Sequence, residues 1–334
     1  METTKRLVYI DVLRGFTIIL VVLIHTLQKF YTDDAILIRI VSSFYMPLFM
    51  FISGFVSYKL NSWDKIRQRS VQLLIPFFSA ILLSWLIEGN NGWSLESLIN
   101  KILYVIKQPD KGLWFLWALF FINVIFLLCR KIAKAVHIHE IAVTVIVGAL
   151  MNLVELLTGF RLFGYHWIAW YFLFFAFGVY WRSFNTLLER PKIEKIITIV
   201  ALISFPVFVA FFRMHNEPPT FYKWINLGGL FIVFYRLLVA VMGVVFFYEI
   251  FKRIVSNRWN NNFLCKFGKE TLPIYYMHFY VLHYFFMVEL NIYKPLHIAI
   301  IVCAALIISY AISLLCKKTK ITRLLVLGEN VFEK

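Results

Sequence analysis

This chain is short of charge. Only 16% of its 334 residues are Asp, Glu, Lys or Arg, and just 18 are acidic. A soluble domain carries about 25% charged residues, and its surface grows too fast with size to be covered by so few. The scarcity excludes a soluble globule, and no polar stretch within the chain is long enough to hold one between the apolar runs. Cysteine is scarce too. Cys129, Cys265, Cys303 and Cys316 stand isolated, without a CxxC pair or Cys/His ligand spacing, so neither disulfides nor a metal site are expected. His137 and His139, two apart in a polar loop, do not change that expectation. The first apolar segment lacks a small-residue cleavage site and is too long for a signal peptide, so it is expected to stay as a helix. No internal repeat is detectable, which removes the usual sign of an inverted-repeat transporter.

What is abundant is apolar. Hydrophobic residues make up 61% of the chain and aromatics 19%, and the mean hydropathy is +0.77. About 20 apolar residues cross a bilayer as a helix. On that ruler ten spans are predicted: Val8–Leu27, Ile38–Tyr58, Val71–Ile87, Leu113–Cys129, Ile141–Leu157, Trp167–Trp181, Ile193–Phe212, Leu227–Phe251, Leu272–Leu290 and Leu296–Cys316. Ser94–Val105 is too short and polar to span, and reads as an amphipathic interfacial helix or an ordered loop.

The net charge of +16 does not form a nucleic-acid stripe; the basic residues sit in short loops between apolar runs. Alternating loops divide them 23 to 8, with Arg14, Arg39 and Arg236 in or beside spans. That bias puts both termini in the cytoplasm, in accord with an even number of spans. The expected fold is all-α: a polytopic transmembrane bundle forming one membrane domain over residues 1–334. Membrane lipid would surround it, and no nucleic acid is expected as a partner.

Ionisable residues inside a span are costly, which makes each a functional candidate. The first span holds Asp11, Arg14 and His25. Eleven steps of about 100° put Arg14 and His25 on one helix face, roughly 16 Å apart along the axis. Asp11, three residues before Arg14, can pair on that face. Gly15 would let another helix or a ligand come close. On physics alone two readings stay open: Arg14 snorkels as a topology anchor and His25 is a polar residue at a helix end, or both belong to a site. Arg236 has apolar sequence on both sides, so snorkelling is hard and a paired or cavity-lining role is favoured.

The stretch from Tyr9 to His25 resembles the opening helix of the membrane-bound acyltransferase 3 family, whose signature is Arg or Lys, ten residues, then His. Further stretches resemble the family in the same order. They are Phe44-Tyr-Met-Pro-Leu-Phe-Met-Phe-Ile-Ser-Gly-Phe55, Arg67-Gln-Arg69 with Leu73-Leu-Ile-Pro76, Leu113-Trp-Phe-Leu116, and Gly268-Lys-Glu-Thr-Leu-Pro-Ile-Tyr-Tyr-Met-His278. Tyr45 stands where many relatives carry His, and Thr271 where Ser is commoner. The chain is similar to the short, stand-alone members, such as the fucose O-acetylase-like ones. The resemblance implies a multi-pass protein of a bacterial inner or plasma membrane. Its activity would be transfer of an acetyl group from acetyl-CoA, as donor substrate and with no metal, to a sugar hydroxyl of a surface polysaccharide or lipid-linked glycan. A transporter or flippase of a lipid-linked sugar is the alternative, since it would also bury Arg and His in a helical bundle.

Under the acyltransferase reading the residues take roles. His25 is the expected base, since an ordinary imidazole titrates near 6.5. Arg14 is expected to grip a phosphate or carbonyl of the acyl-CoA. Arg67 and Arg69 are either donors for the CoA phosphates or topology charges alone. His278 is either an aid to acceptor binding and proton transfer or a hydrogen-bonded bundle histidine. Trp114 and Tyr275 are either sugar platforms or packing aromatics, and Arg236 joins them as a candidate for acceptor binding.

Overall fold

The computed structural model describes residues 7–33, 35–89, 92–214, 228–288 and 292–329. Lys5, Arg6, Lys223 and Lys334 of the basic count, and the ends Leu227 and Leu290 of two expected spans, lie outside them. Every described element is helical. Besides three short 3-10 turns at Pro109–Lys111, Leu162–Gly164 and Asn257–Asn261, the α-helices in chain order are α1 Val8–Phe30, α2 Ile36–Val56, α3 Trp63–Glu88, α4 Leu95–Lys107, α5 Trp114–Ala135, α6 Glu140–Thr158 and α7 Tyr165–Ser183. The remainder are α8 Asn185–Leu188, α9 Pro191–Val209, α10 Gly228–Ile254, α11 Phe263–Lys269, α12 Thr271–Phe285, α13 Lys294–Cys316 and α14 Lys320–Leu325.

Helices prevail because lipid offers backbone groups no partner, so each span must satisfy its own. Pro47, Pro76 and Pro206 sit inside α2, α3 and α9, a placement that membrane helices tolerate better than soluble ones. Among the described residues eight helices are long and apolar enough to cross a membrane: α1, α2, α3, α5, α6, α7, α10 and α13. The other two expected spans are helical but differ in kind. The 19-residue α9 carries Lys192, Glu194 and Lys195 in its first turns. The 15-residue α12 is roughly 22 Å long, short of a hydrocarbon core of about 30 Å.

The segment left open between helix and loop is α4. Ser94 caps it in a reciprocal box, its hydroxyl accepting from the Ser97 N–H while the Ser97 hydroxyl accepts from the Ser94 N–H. The Trp85 indole N–H donates to the same Ser97 hydroxyl at 2.9 Å, tying α4 to α3. His139 likewise serves its own helix, where its Nδ1 accepts the Ile141 N–H and caps α6.

The chain forms two compact units: Met1–Ser53 with Trp181–Ile312, and Gly54–Tyr180 with Ser313–Lys334. In the first, α1 packs along α11, α12 and α10, and α10 packs along α9. Its core is aromatic: Phe44 stacks on Phe247 at 4.2 Å and meets Phe205 edge-on at 5.6 Å. In the second, α5 lies against α3 and α6. Arg130 on α5 binds Glu140 at 2.7 Å and donates to the carbonyls of Tyr58 and Leu60, holding the α2–α3 turn. Outward faces stay apolar, with Ile146, Leu150 and Leu157 on α6 and Ile199 and Ile203 on α9 exposed. Exposed apolar surface of that extent suits lipid rather than water.

Candidate active site

The site is built on the first unit. Gly15 follows Arg14, and a Cβ there would lie 1.8 Å from the Leu264 carbonyl oxygen of α11. Conversely, a Cβ on Gly268 would lie 1.7 Å from the Asp11 carbonyl oxygen and 3.0 Å from the Gly15 nitrogen. Only glycine on both sides allows this backbone-to-backbone crossing. It brings the first and the last stretch of family resemblance, Tyr9–His25 and Gly268–His278, into direct contact.

From that crossing the chain turns at Glu270 into α12, which also packs on α1. The imidazoles of His25 and His278 stack with centroids 5.5 Å apart and planes at 25°. Phe279 lies against both, 4.6 Å from His25 and 4.3 Å from His278, and the Tyr275 ring is 5.6 Å from His278. His278 is fully buried and His25 half-buried. His278 Nδ1 lies 3.2 Å from the Ile274 carbonyl oxygen. A carbonyl can only accept, so the contact puts a proton on Nδ1, and in the neutral ring the lone pair is then on Nε2. That Nε2 is buried and has no hydrogen-bond partner among the described residues.

The other sequence candidates fall in three places. Arg14 is half-buried beside the glycine crossing, one residue before Gly15, and Asp11 is buried one turn earlier. Arg236 is half-buried on α10, a helix that packs on α1. Arg67, Arg69 and Trp114 belong to the second unit. There Arg67 is exposed at the start of α3, while Arg69 donates to Ser57 Oγ at 3.0 Å and Gln72 Oε1 at 2.9 Å. Trp114 stacks on Trp167 at 4.8 Å and on Tyr171 at 5.5 Å.

Sequence reasoning missed Phe279, although it directly follows His278, and it missed the partners of Trp114. Gly54, the glycine of the Ser-Gly pair that ends the α2 resemblance, has a packing role: a Cβ there would lie 1.9 Å from the Phe175 carbonyl oxygen of α7.

Two stacked imidazoles, one fully buried and one half-buried, are thus held between α1 and α12 of this helical bundle, where titratable side chains are costly to place. A family model for an acyltransferase domain, that of acyltransferase family 3, matches residues 7–314. The chain therefore belongs to that family of membrane acyltransferases. It is similar to the nodulation protein NolL of Mesorhizobium japonicum, with 24% identity over 292 residues, covering 82% of this chain and 76% of the relative. No solved structure matches it.

Proposed function

We propose that this membrane acyltransferase moves the acetyl group of acetyl-CoA to a hydroxyl of a sugar in a surface polysaccharide or glycolipid. The observation that carries the reading is the His25–His278 pair at the meeting of the two family stretches. His25, the more accessible imidazole, takes the proton of the sugar hydroxyl as its oxygen attacks the thioester carbonyl. The tetrahedral oxyanion collapses, the C–S bond breaks, and the CoA thiolate leaves with that proton. His278, with Nε2 as acceptor, holds the acceptor hydroxyl or receives the proton in turn. Arg14 grips the donor through its fork of N–H groups. Arg67 and Arg69 supply further guanidinium groups for the CoA phosphates; two donors of Arg69 are engaged by Ser57 and Gln72. Tyr275, Arg236 and Trp114 are assigned to the acceptor. Both chain termini face the cytoplasm in this reading.

The test is transfer by the purified protein in nanodiscs from labelled acetyl-CoA to a panel of methyl fucosides and hexosides. Ester formation that depends on His25 supports the proposal. Sugar transport without ester formation would replace it with the flippase reading.

A further inference from the structure

The first unit carries a second feature on α1, on the face away from the histidines. Leu23 and Leu27 of α1, Ile38 of α2, and Ile298, Ala299 and Val302 of α13 line an apolar groove of about 570 Å³. His25 stands two residues from each of the two leucines, about 200° around the helix. The groove and the imidazole pair thus lie on opposite faces of α1 at the same depth. The groove ends at Tyr31 and Pro295. There the Lys294 ammonium lies over the Tyr31 ring, 4.4 Å from its centroid, a cation held at the rim by the ring's electron-rich face. On the other face Lys29, one turn beyond His25, lies 5.8 Å from the Phe286 centroid. The Tyr31 end of α1 is therefore flanked by two ammonium groups, one on the groove side and one on the histidine side.

We infer that this groove holds the chain of a lipid-phosphate acceptor, an isoprenyl phosphate bearing the sugar, with the phosphate at Lys294. The inference rests on the acetyl-transfer reading and names the form in which the acceptor arrives. A groove of about 570 Å³ among three helices suits one chain better than the paired chains of a phospholipid. The rim supplies the charge that a phosphate needs, and cations near the membrane surface attract anionic headgroups. Tyr31 lies six residues beyond His25, roughly 9 Å along the axis. A sugar joined to a phosphate at Lys294 can pass over the end of α1 and reach the histidine face beside Lys29.

Binding of radiolabelled farnesyl phosphate to the full chain in phosphatidylcholine nanodiscs tests this without any transfer step. Ala299→Trp, which fills the groove, should weaken binding about tenfold or more. Ile307→Trp, on an exposed part of α13 outside the groove lining, should leave it unchanged. Lys294→Gln should weaken farnesyl phosphate but not farnesol. Equal loss with Ile307→Trp, no loss with Ala299→Trp, or equally potent displacement by phosphatidylglycerol would mark the groove as ordinary lipid contact and overturn the inference. Acetylation of a farnesyl-phosphate-linked hexose and of a methyl hexoside then separates the two readings. Should farnesyl phosphate bind as expected and neither sugar be acetylated, acetyl transfer fails and the groove stands. Should the methyl hexoside be acetylated while farnesyl phosphate fails to bind, the groove falls alone.

Discussion

Helices α1 and α6 are comparably apolar along their membrane-length windows, yet 72% of the α1 window is buried within the protein against 17% of the α6 window. Apolarity fixes only the capacity to cross a bilayer. Position in the bundle is fixed by what the apolar run is interrupted with. On α1, Thr17 and Thr26 bond back to the Leu13 and Val22 carbonyls of their own helix, but for Asp11, Arg14 and His25 lipid has no partner. Other helices must supply it, and α10, α11 and α12 close around α1. The α6 sequence keeps its carboxylates near its ends, Glu140 bound by Arg130 and Glu155 4.0 Å from Arg161. Its mid-helix Thr144 and Asn152 bond to Tyr180 and the Ala169 carbonyl on one side, against α7, and it ends at Gly159 in a left-handed cap at φ +63°. Its outward leucines and isoleucines need nothing but lipid.

The widest expected gap between the two helices is chemical. Replacing His25 by Ala should lower acetyl transfer by about 10² to 10⁴ while acetyl-CoA binding stays nearly intact, because a general base acts mainly in the transition state. Arg14→Ala should instead weaken donor binding, with Arg14→Lys restoring part of it, since lysine keeps the charge but loses the planar fork. Equilibrium binding of acetyl-CoA beside single-turnover transfer, both on protein confirmed in the membrane at normal level, separates the two. Loss of donor binding in His25→Ala with none in Arg14→Ala would reverse the assignment.

A smaller gap is steric. Gly15→Ala puts a methyl group against the backbone of α11, which cannot step aside, and should cost at least about 1–3 kcal/mol in the manner of an overpacked core. Gly148→Ala on α6 meets chiefly the Leu173 side chain at 2.4 Å, which can change rotamer, and should cost less. Thermal unfolding of the two variants in the same detergent gives the order; equal losses would remove the distinction between the helices.

These effects also mark what was legible in the sequence. The apolar runs of α1 and α6 were readable as spans because a membrane imposes their length. The shortness of α12 was not, since its apolar sequence runs on past Phe285 while the helix stops there. Arg14, His25 and His278 could be picked out singly, because ionisable residues in apolar runs are conspicuous. Their juxtaposition could not, because stacking of His25 on His278 depends on a crossing of helices far apart in the chain. Gly15 hinted at a close approach without naming α11 as the helix that makes it. The groove beside Lys294 left no sequence signal, being a gap between side chains that are ordinary for any membrane helix.

Two finer tests finish the comparison. Reporter fusions after Lys134 and after Lys195 should both read as cytoplasmic, as the 23-to-8 division of basic residues requires; an external reading at either inverts the orientation of α1 and α6 together. Least of all should happen on the lipid face of α6, where Leu150→Ile is expected to change stability by no more than about 0.5 kcal/mol and transfer not at all.

The paired glycines have a mechanical consequence. Because α1 and α11 touch backbone to backbone, neither can slide past the other by a rotamer change, and α12 follows α11 after a single residue. The three helices form one lever, with the Arg14 end at the fulcrum and the two imidazoles on the arm. An axial shift of α1 would have to take α11 with it, so both imidazoles are referred to the same backbone crossing.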